Sequence, residues 1–109
     1  MNPLIQKVFD DVRRLFVFLP DNIQFPWRRD DCDGFAMTCA ELLIRAGLAR
    51  EDVWICTCAT ESGEAHVVCI AEGYLLDNRQ RSVWKWNEVP YLWESRMRMS
   101  APGEWKKVA

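Results

Sequence analysis

Arg28-Arg29-Asp30-Asp31-Cys32-Asp33-Gly34-Phe35-Ala36-Met37 is the stretch on which the reading of this chain turns. A cysteine stands among three aspartates just where an amphipathic pattern begins. From there Cys32, Phe35, Ala36, Cys39, Leu42, Leu43 and Ala46 recur at helical spacing, and Gly47 is placed as a C-terminal stop. The spacing predicts a helix over about residues 32–46, with Asp30 or Asp31 as its cap. Cys32 then lies in the first turn, where the positive end of the helix dipole favours a thiolate. The flanking acids oppose it, because nearby negative charge raises a thiol pKa.

Upstream, Leu4, Ile5, Val8, Phe9, Val12, Leu15, Phe16 and Leu19 mark a first amphipathic helix over about residues 3–18. Asn2-Pro3 suits its start and Pro20 its end. Pro20 and Pro26 punctuate a connecting loop, in which Phe25 and Trp27 are expected to fold back as packing. Downstream the pattern turns to strands: 53–59, 65–71, 74–77, 82–86 and a last one over 91–99, with the tail from Ser100 expected to be loose at its end. Helices first and antiparallel strands after them predict an α+β layer, two main helices on one face of a meander.

The 109 residues fit one domain, taken as 1–109, with a single core. A net charge of -2 and no basic face argue against a nucleic-acid partner. The basic residues of the last third are interleaved with tryptophans, as on a solvated sheet face with snorkelling stems. No apolar run approaches the roughly 18 residues of a membrane span, and the first residues lack a signal-peptide pattern. The expectation is a cytoplasmic chain without a membrane partner. Five cysteines then imply reduced thiols, with Cys39, Cys56, Cys58 and Cys69 in the core. A zinc site from these and His66 is disfavoured, since His66 and Cys69 are three apart and face opposite sides of one strand. Trp84 and Trp86, two apart, are candidates to line a groove.

A nucleophilic cysteine needs a base, and His66 is the sole histidine. If Glu72-Gly73 is a hairpin turn, paired residues sum to 145, and Asp77 falls opposite Val68, which shares a face with His66. His66 and Asp77 become diagonal neighbours, about 7–8 Å apart at the backbone and within side-chain reach. A one-residue slip would separate them.

Three segments in order, Asp31-Cys32-Asp33-Gly34-Phe35-Ala36, Gly63-Glu64-Ala65-His66-Val67-Val68 and Leu75-Leu76-Asp77-Asn78, resemble the bacterial transglutaminase-like cysteine proteinases. The resemblance covers about half of the chain and implies a papain-like/transglutaminase-like core, with a nucleophile helix against an antiparallel sheet. It implies Cys32 as nucleophile, His66 as general base and Asp77 as the group that orients His66. Family members also bind calcium through acids flanking the nucleophile, which maps onto Asp31 and Asp33 and would relieve the charge conflict. Asp33 stands where the family has a longer glutamate and Gly34 where it has an acid, so one carboxylate is missing. For the oxyanion the candidates are the Cys32 backbone N–H and the side chains of Gln24 and Trp27.

The expected function is a small cysteine hydrolase, a peptidase or amidase, acting on a protein or peptide through a thioester. No cofactor is required for that chemistry. The alternatives are acyl transfer to an amine, as in a transglutaminase, and a non-catalytic binding, assembly or inhibitor module on the same fold.

Overall fold

A computed structural model describes residues 1–17 and 31–108, except the side chains of residues 16, 17 and 31. Two helices, α1 (Pro3–Val17) and α2 (Asp31–Arg45), precede the strands β1 (Val53–Ala59), β2 (Ala65–Ala71), β3 (Tyr74–Leu76), β4 (Trp84–Lys85), β5 (Leu92–Arg98) and β6 (Trp105–Lys107). All neighbouring strands are antiparallel, in the order β4-β3-β2-β1-β5-β6. The fold is the expected α+β layer, but the sheet is not the expected meander, because β5 joins beyond β1 instead of beside β4.

The helix ends follow local chemistry. The Asn2 side chain accepts a hydrogen bond from the Leu4 N–H (3.0 Å), with Pro3 in the first turn, where its missing N–H costs nothing. At the far end of α2, Gly47 takes φ +116°. Its N–H donates to the Ile44 carbonyl, and the Leu48 N–H to the Leu43 carbonyl, the paired bonds of a Schellman stop. Ile5, Val8, Phe9 and Val12 of α1 are buried, and so are Phe35, Ala36, Cys39, Ala40 and Leu43 of α2. Phe9 and Phe35 meet edge to face with centroids 6.0 Å apart, docking one helix on the other. Leu15, expected in the α1 stripe, is instead exposed. Ala46, expected in that of α2, is exposed as well, past the end of the helix.

The helices cover one sheet face, burying Val53, Ile55, Cys69, Ala71, Leu76 and Met97. The other face is not left to water. Because β4 lies at one end of the sheet and β5 beyond β1, the chain between them must cross β3, β2 and β1. That crossing carries a 3-10 turn (Trp86–Glu88), then Val89 and Tyr91, which bury Cys56, Cys58, Val68 and Leu75 from the second side. The central strands are therefore buried on both faces.

Three expectations need correction. Residues 82–86 do not form one strand: only Trp84–Lys85 pairs, and Trp86 enters the 3-10 turn, so the two tryptophans do not share a strand face. The final strand is shorter than 91–99 and is bulged: Thr57 pairs with Ser95 but Cys58 with Trp93, leaving Glu94 as the extra residue. The bulge brings Trp93, rather than Glu94, onto the face of Cys58. The tail, expected to be loose at its end, is held there by Trp105–Lys107, which pairs with Ser95–Met97 as an edge strand. Two lysines in a three-residue strand carry no apolar alternation for a sequence pattern to detect.

The β2–β3 register agrees with expectation. Cys69 pairs with Leu76, Ile70 with Leu75 and Ala71 with Tyr74, each summing to 145. Glu72 (φ 51°) and Gly73 (φ +83°) form the two-residue turn, the left-handed pair that matches strand twist.

Candidate active site

The pairing of β3 with β2 ends at Cys69–Leu76, so the first residues of β2 extend past their neighbour. His66 and Asp77 both lie there, on the face away from the helices. Both are buried, and Asp77 is wholly shielded from solvent. His66 Nε2 sits 2.6 Å from Asp77 Oδ1. A carboxylate offers no proton, which assigns the imidazole hydrogen to Nε2 and leaves Nδ1 as the free lone pair of the neutral ring.

Asp77 has two further donors. The Arg79 N–H reaches Oδ1 at 3.0 Å, and the Tyr91 hydroxyl donates to Oδ2 at 2.6 Å. Burial pushes the Asp77 carboxyl up, but the hydrogen bonds from His66, Tyr91 and Arg79 outweigh it, and the pKa lies below its ordinary 3.8. The Tyr91 ring also stands edge to face against the imidazole, with centroids 5.7 Å apart. Tyr91 was read in the sequence only as the start of a strand. Nothing local marks it, because its placement comes from the crossing segment.

Cys32 approaches from the helix layer, in the first turn of α2. Its half-buried thiol receives the backbone N–H of Val67, the residue that follows His66, and this favours the thiolate. It also lies 3.7 Å from Asp33 Oδ1. Burial, together with the charge and hydrogen bond of Asp33, outweighs the amide and raises the thiol above its ordinary 9.0. The charge conflict expected from the sequence is thus present, and among the described residues Asp33 contributes to it. The four other thiols are buried. Burial pushes Cys39, Cys56 and Cys58 up to about 12, and Cys69 well above its ordinary range.

Gln24 and Trp27, the side-chain oxyanion candidates, lie outside the described residues, as does the Asp31 side chain. Among the described residues, no group of three or more His, Cys, Asp or Glu side chains could hold a metal ion. On this flank Asp33 offers one exposed carboxylate, and Gly34 adds none.

Beyond Tyr91 the aromatic surface continues. Trp93 lies 5.9 Å from Tyr91 and 6.0 Å from Trp86. A cavity of about 200 Å³ lined by Trp54, Ile70, Trp86, Trp93 and Arg96 opens beside them. Trp86 therefore lines this cavity, and Trp84 is not among its lining residues. The guanidinium groups of Arg96 and Arg98 stack over Trp54 at 4.6 and 4.5 Å.

Comparison with known proteins bears on this arrangement. The family described as bacterial transglutaminase-like cysteine proteinases (BTLCP) matches residues 5–109. No curated protein matches. Among solved structures, LapG of Legionella pneumophila in a calcium-bound form is similar over 97% of this chain and 75% of its own, with 17% identity and a TM-score of 0.68. An EGTA-treated form of LapG is similar over 95% of this chain and 70% of its own, with 16% identity and a TM-score of 0.65. At that identity the likeness speaks for the fold. Among the described residues, no helix is long and apolar enough to cross a membrane.

Proposed function

The chain belongs to the bacterial transglutaminase-like cysteine proteinases, and on that premise we propose that Cys32, His66 and Asp77 are the triad of a small hydrolase acting on a protein or peptide. In this reading residues 1–109 are one peptidase domain. The observation that carries it is the buried His66–Asp77 contact of 2.6 Å, one residue from the amide that meets the Cys32 thiol.

The chemistry follows from the proton positions. With Nε2–H held by Asp77, His66 Nδ1 takes the thiol proton and the Cys32 sulfur attacks the carbonyl carbon. The imidazolium that forms is stabilised by the Asp77 carboxylate, which remains ionised. His66 then gives its proton to the leaving amine; the C–N bond breaks and a thioester remains. Water, deprotonated by the same Nδ1, attacks the thioester, the C–S bond breaks and the acid leaves with the thiol restored. The Cys32 backbone N–H and the side chains of Gln24 and Trp27 are the proposed oxyanion donors. An amine in place of water would give acyl transfer.

Asp31 and Asp33 are the proposed calcium ligands. Hard cations take carboxylate oxygens, and the calcium-bound form of LapG supports this reading for its fold relative here. A cation on Asp33 would cancel the charge that adds to burial in holding the thiol protonated. The alternative of a non-catalytic module draws on that same raised thiol pKa.

Alkylation of the native protein by iodoacetamide, read site by site by mass spectrometry with and without calcium, tests the proposal. Cys32 is expected to label far faster than the four buried thiols, with His66→Ala slowing it. Labelling of Cys32 no faster than the other thiols, and unchanged by His66→Ala, would leave the binding-module reading. Identical rates in calcium and in chelator would remove the metal.

A further inference from the structure

Tyr91 touches both members of the buried pair. Its hydroxyl donates to Asp77 Oδ2 at 2.6 Å, the oxygen that His66 does not use, and its ring stands against the imidazole. A buried tyrosine hydroxyl needs a partner, and a backbone carbonyl would ordinarily serve. Here the hydroxyl is instead constrained to donate to the carboxylate. Arg79 Nη1 donates to it at 3.1 Å and Gln80 Nε2 at 3.2 Å. Those two donors occupy its lone pairs, so the hydroxyl proton points at Asp77. Arg79 is in turn held from outside by Glu61, at 2.9 Å.

We propose that Tyr91 is a positioning residue of the site: it locks the Asp77 carboxylate so that Oδ1 stays on His66 Nε2 and His66 Nδ1 stays free. The proposal rests on the Cys32–His66–Asp77 reading. Its logic is geometric. Oδ1 carries two donors, from His66 and the Arg79 N–H, and Oδ2 carries one, from Tyr91. With both oxygens engaged, the carboxylate cannot rotate about its Cβ–Cγ bond without breaking a buried bond. Without the hydroxyl, Oδ2 of the fully buried Asp77 is left unpaired, and rotation towards other donors becomes favourable. The imidazole would then lose its enforced tautomer, the failure that follows when the orienting acid of a serine triad becomes an amide.

Tyr91→Phe keeps the ring and removes only the hydroxyl. Because His66 is the sole histidine, long-range proton–nitrogen NMR reads a single imidazole without assignment. The wild type is expected to hold one tautomer at neutral pH, with hydrogen on Nε2, and Tyr91→Phe to show a mixture. The alkylation rate of Cys32 by iodoacetamide is expected to fall about tenfold, well short of the ~10⁴-fold loss that follows removal of the orienting acid's charge in a serine triad. A variant with the wild-type tautomer, or with the wild-type rate where His66→Ala is slow, overturns the proposal. If His66→Ala itself alkylates Cys32 at the wild-type rate, the triad reading fails separately, and the nitrogen spectrum still decides what Tyr91 does to the pair. Should Tyr91→Phe not fold, Gln80→Met removes one donor to the hydroxyl; a smaller tautomer shift is then expected, and no shift overturns the proposal.

Discussion

Replacing Asp33 by asparagine removes one charge and almost no volume beside the proposed nucleophile. The Cys32 sulfur lies 3.7 Å from Asp33 Oδ1. Two negative charges at that separation repel by about 1 kcal/mol in water-like surroundings and about 4 kcal/mol at an effective dielectric of 20. The thiol is half-buried and Asp33 is exposed, so screening favours the lower figure. About 1 kcal/mol corresponds to about fivefold more thiolate at neutral pH. Cys32 in Asp33→Asn is therefore expected to react with iodoacetamide about five times faster than in wild type, in chelator, with the pH–rate curve displaced to lower pH. The buried thiols act as internal standards, since their reactivity does not depend on Asp33. Calcium should accelerate the wild type in the same direction and the variant much less, because the charge it would neutralise is gone. Equal rates for the two proteins across the pH curve would refute the assignment of Asp33 as a group that helps to hold the thiol protonated. A slower variant would mean that its carboxylate serves the thiol instead.

Two further outcomes concern stability. The Asp77 carboxyl has a folded pKa below its ordinary 3.8, so its contribution is fully present above that value and is lost as pH falls through the folded pKa. In urea unfolding, the advantage of wild type over Asp77→Asn should persist from neutral pH down to about pH 4 and shrink below it; a constant gap down to pH 2 would contradict the carboxylate's role. Phe9→Ala empties the place where α1 meets Phe35, a side chain with no exposure against one with 1%. Its expected cost is about 3–5 kcal/mol in denaturant unfolding, and a loss under 1 kcal/mol would mean that α1 is not docked there.

Much of the site was legible because it rests on local rules. The helix start at Cys32 follows from apolar spacing, and the His66–Asp77 pairing from a two-residue turn and the alternation of strand side chains. With Glu72-Gly73 as a two-residue turn, paired residues sum to 145, and both residues take the left-handed conformation that such a turn needs. Where local rules lapse, the reading failed. The β5 bulge divides Tyr91, Trp93, Ser95 and Met97, a run with one apparent alternation, between two faces: Met97 joins the helix-side core and Tyr91 and Trp93 the opposite one. A single inserted residue inverts the pattern beyond it, and the sequence carries no mark of where the insertion falls.

The sequence by itself therefore determined the two helices, the first strands and the β2–β3 hairpin register, because turns and periodicity act within a few residues. The tertiary structure alone decided what surrounds them. The crossing of the chain from β4 to β5 delivers Tyr91 to the far oxygen of Asp77, from 14 residues along the chain. Among the described side chains, that of Asp33 is seen against the thiol. Both depend on segments distant in the chain or on the direction of one side chain, and neither periodicity nor turn chemistry encodes those.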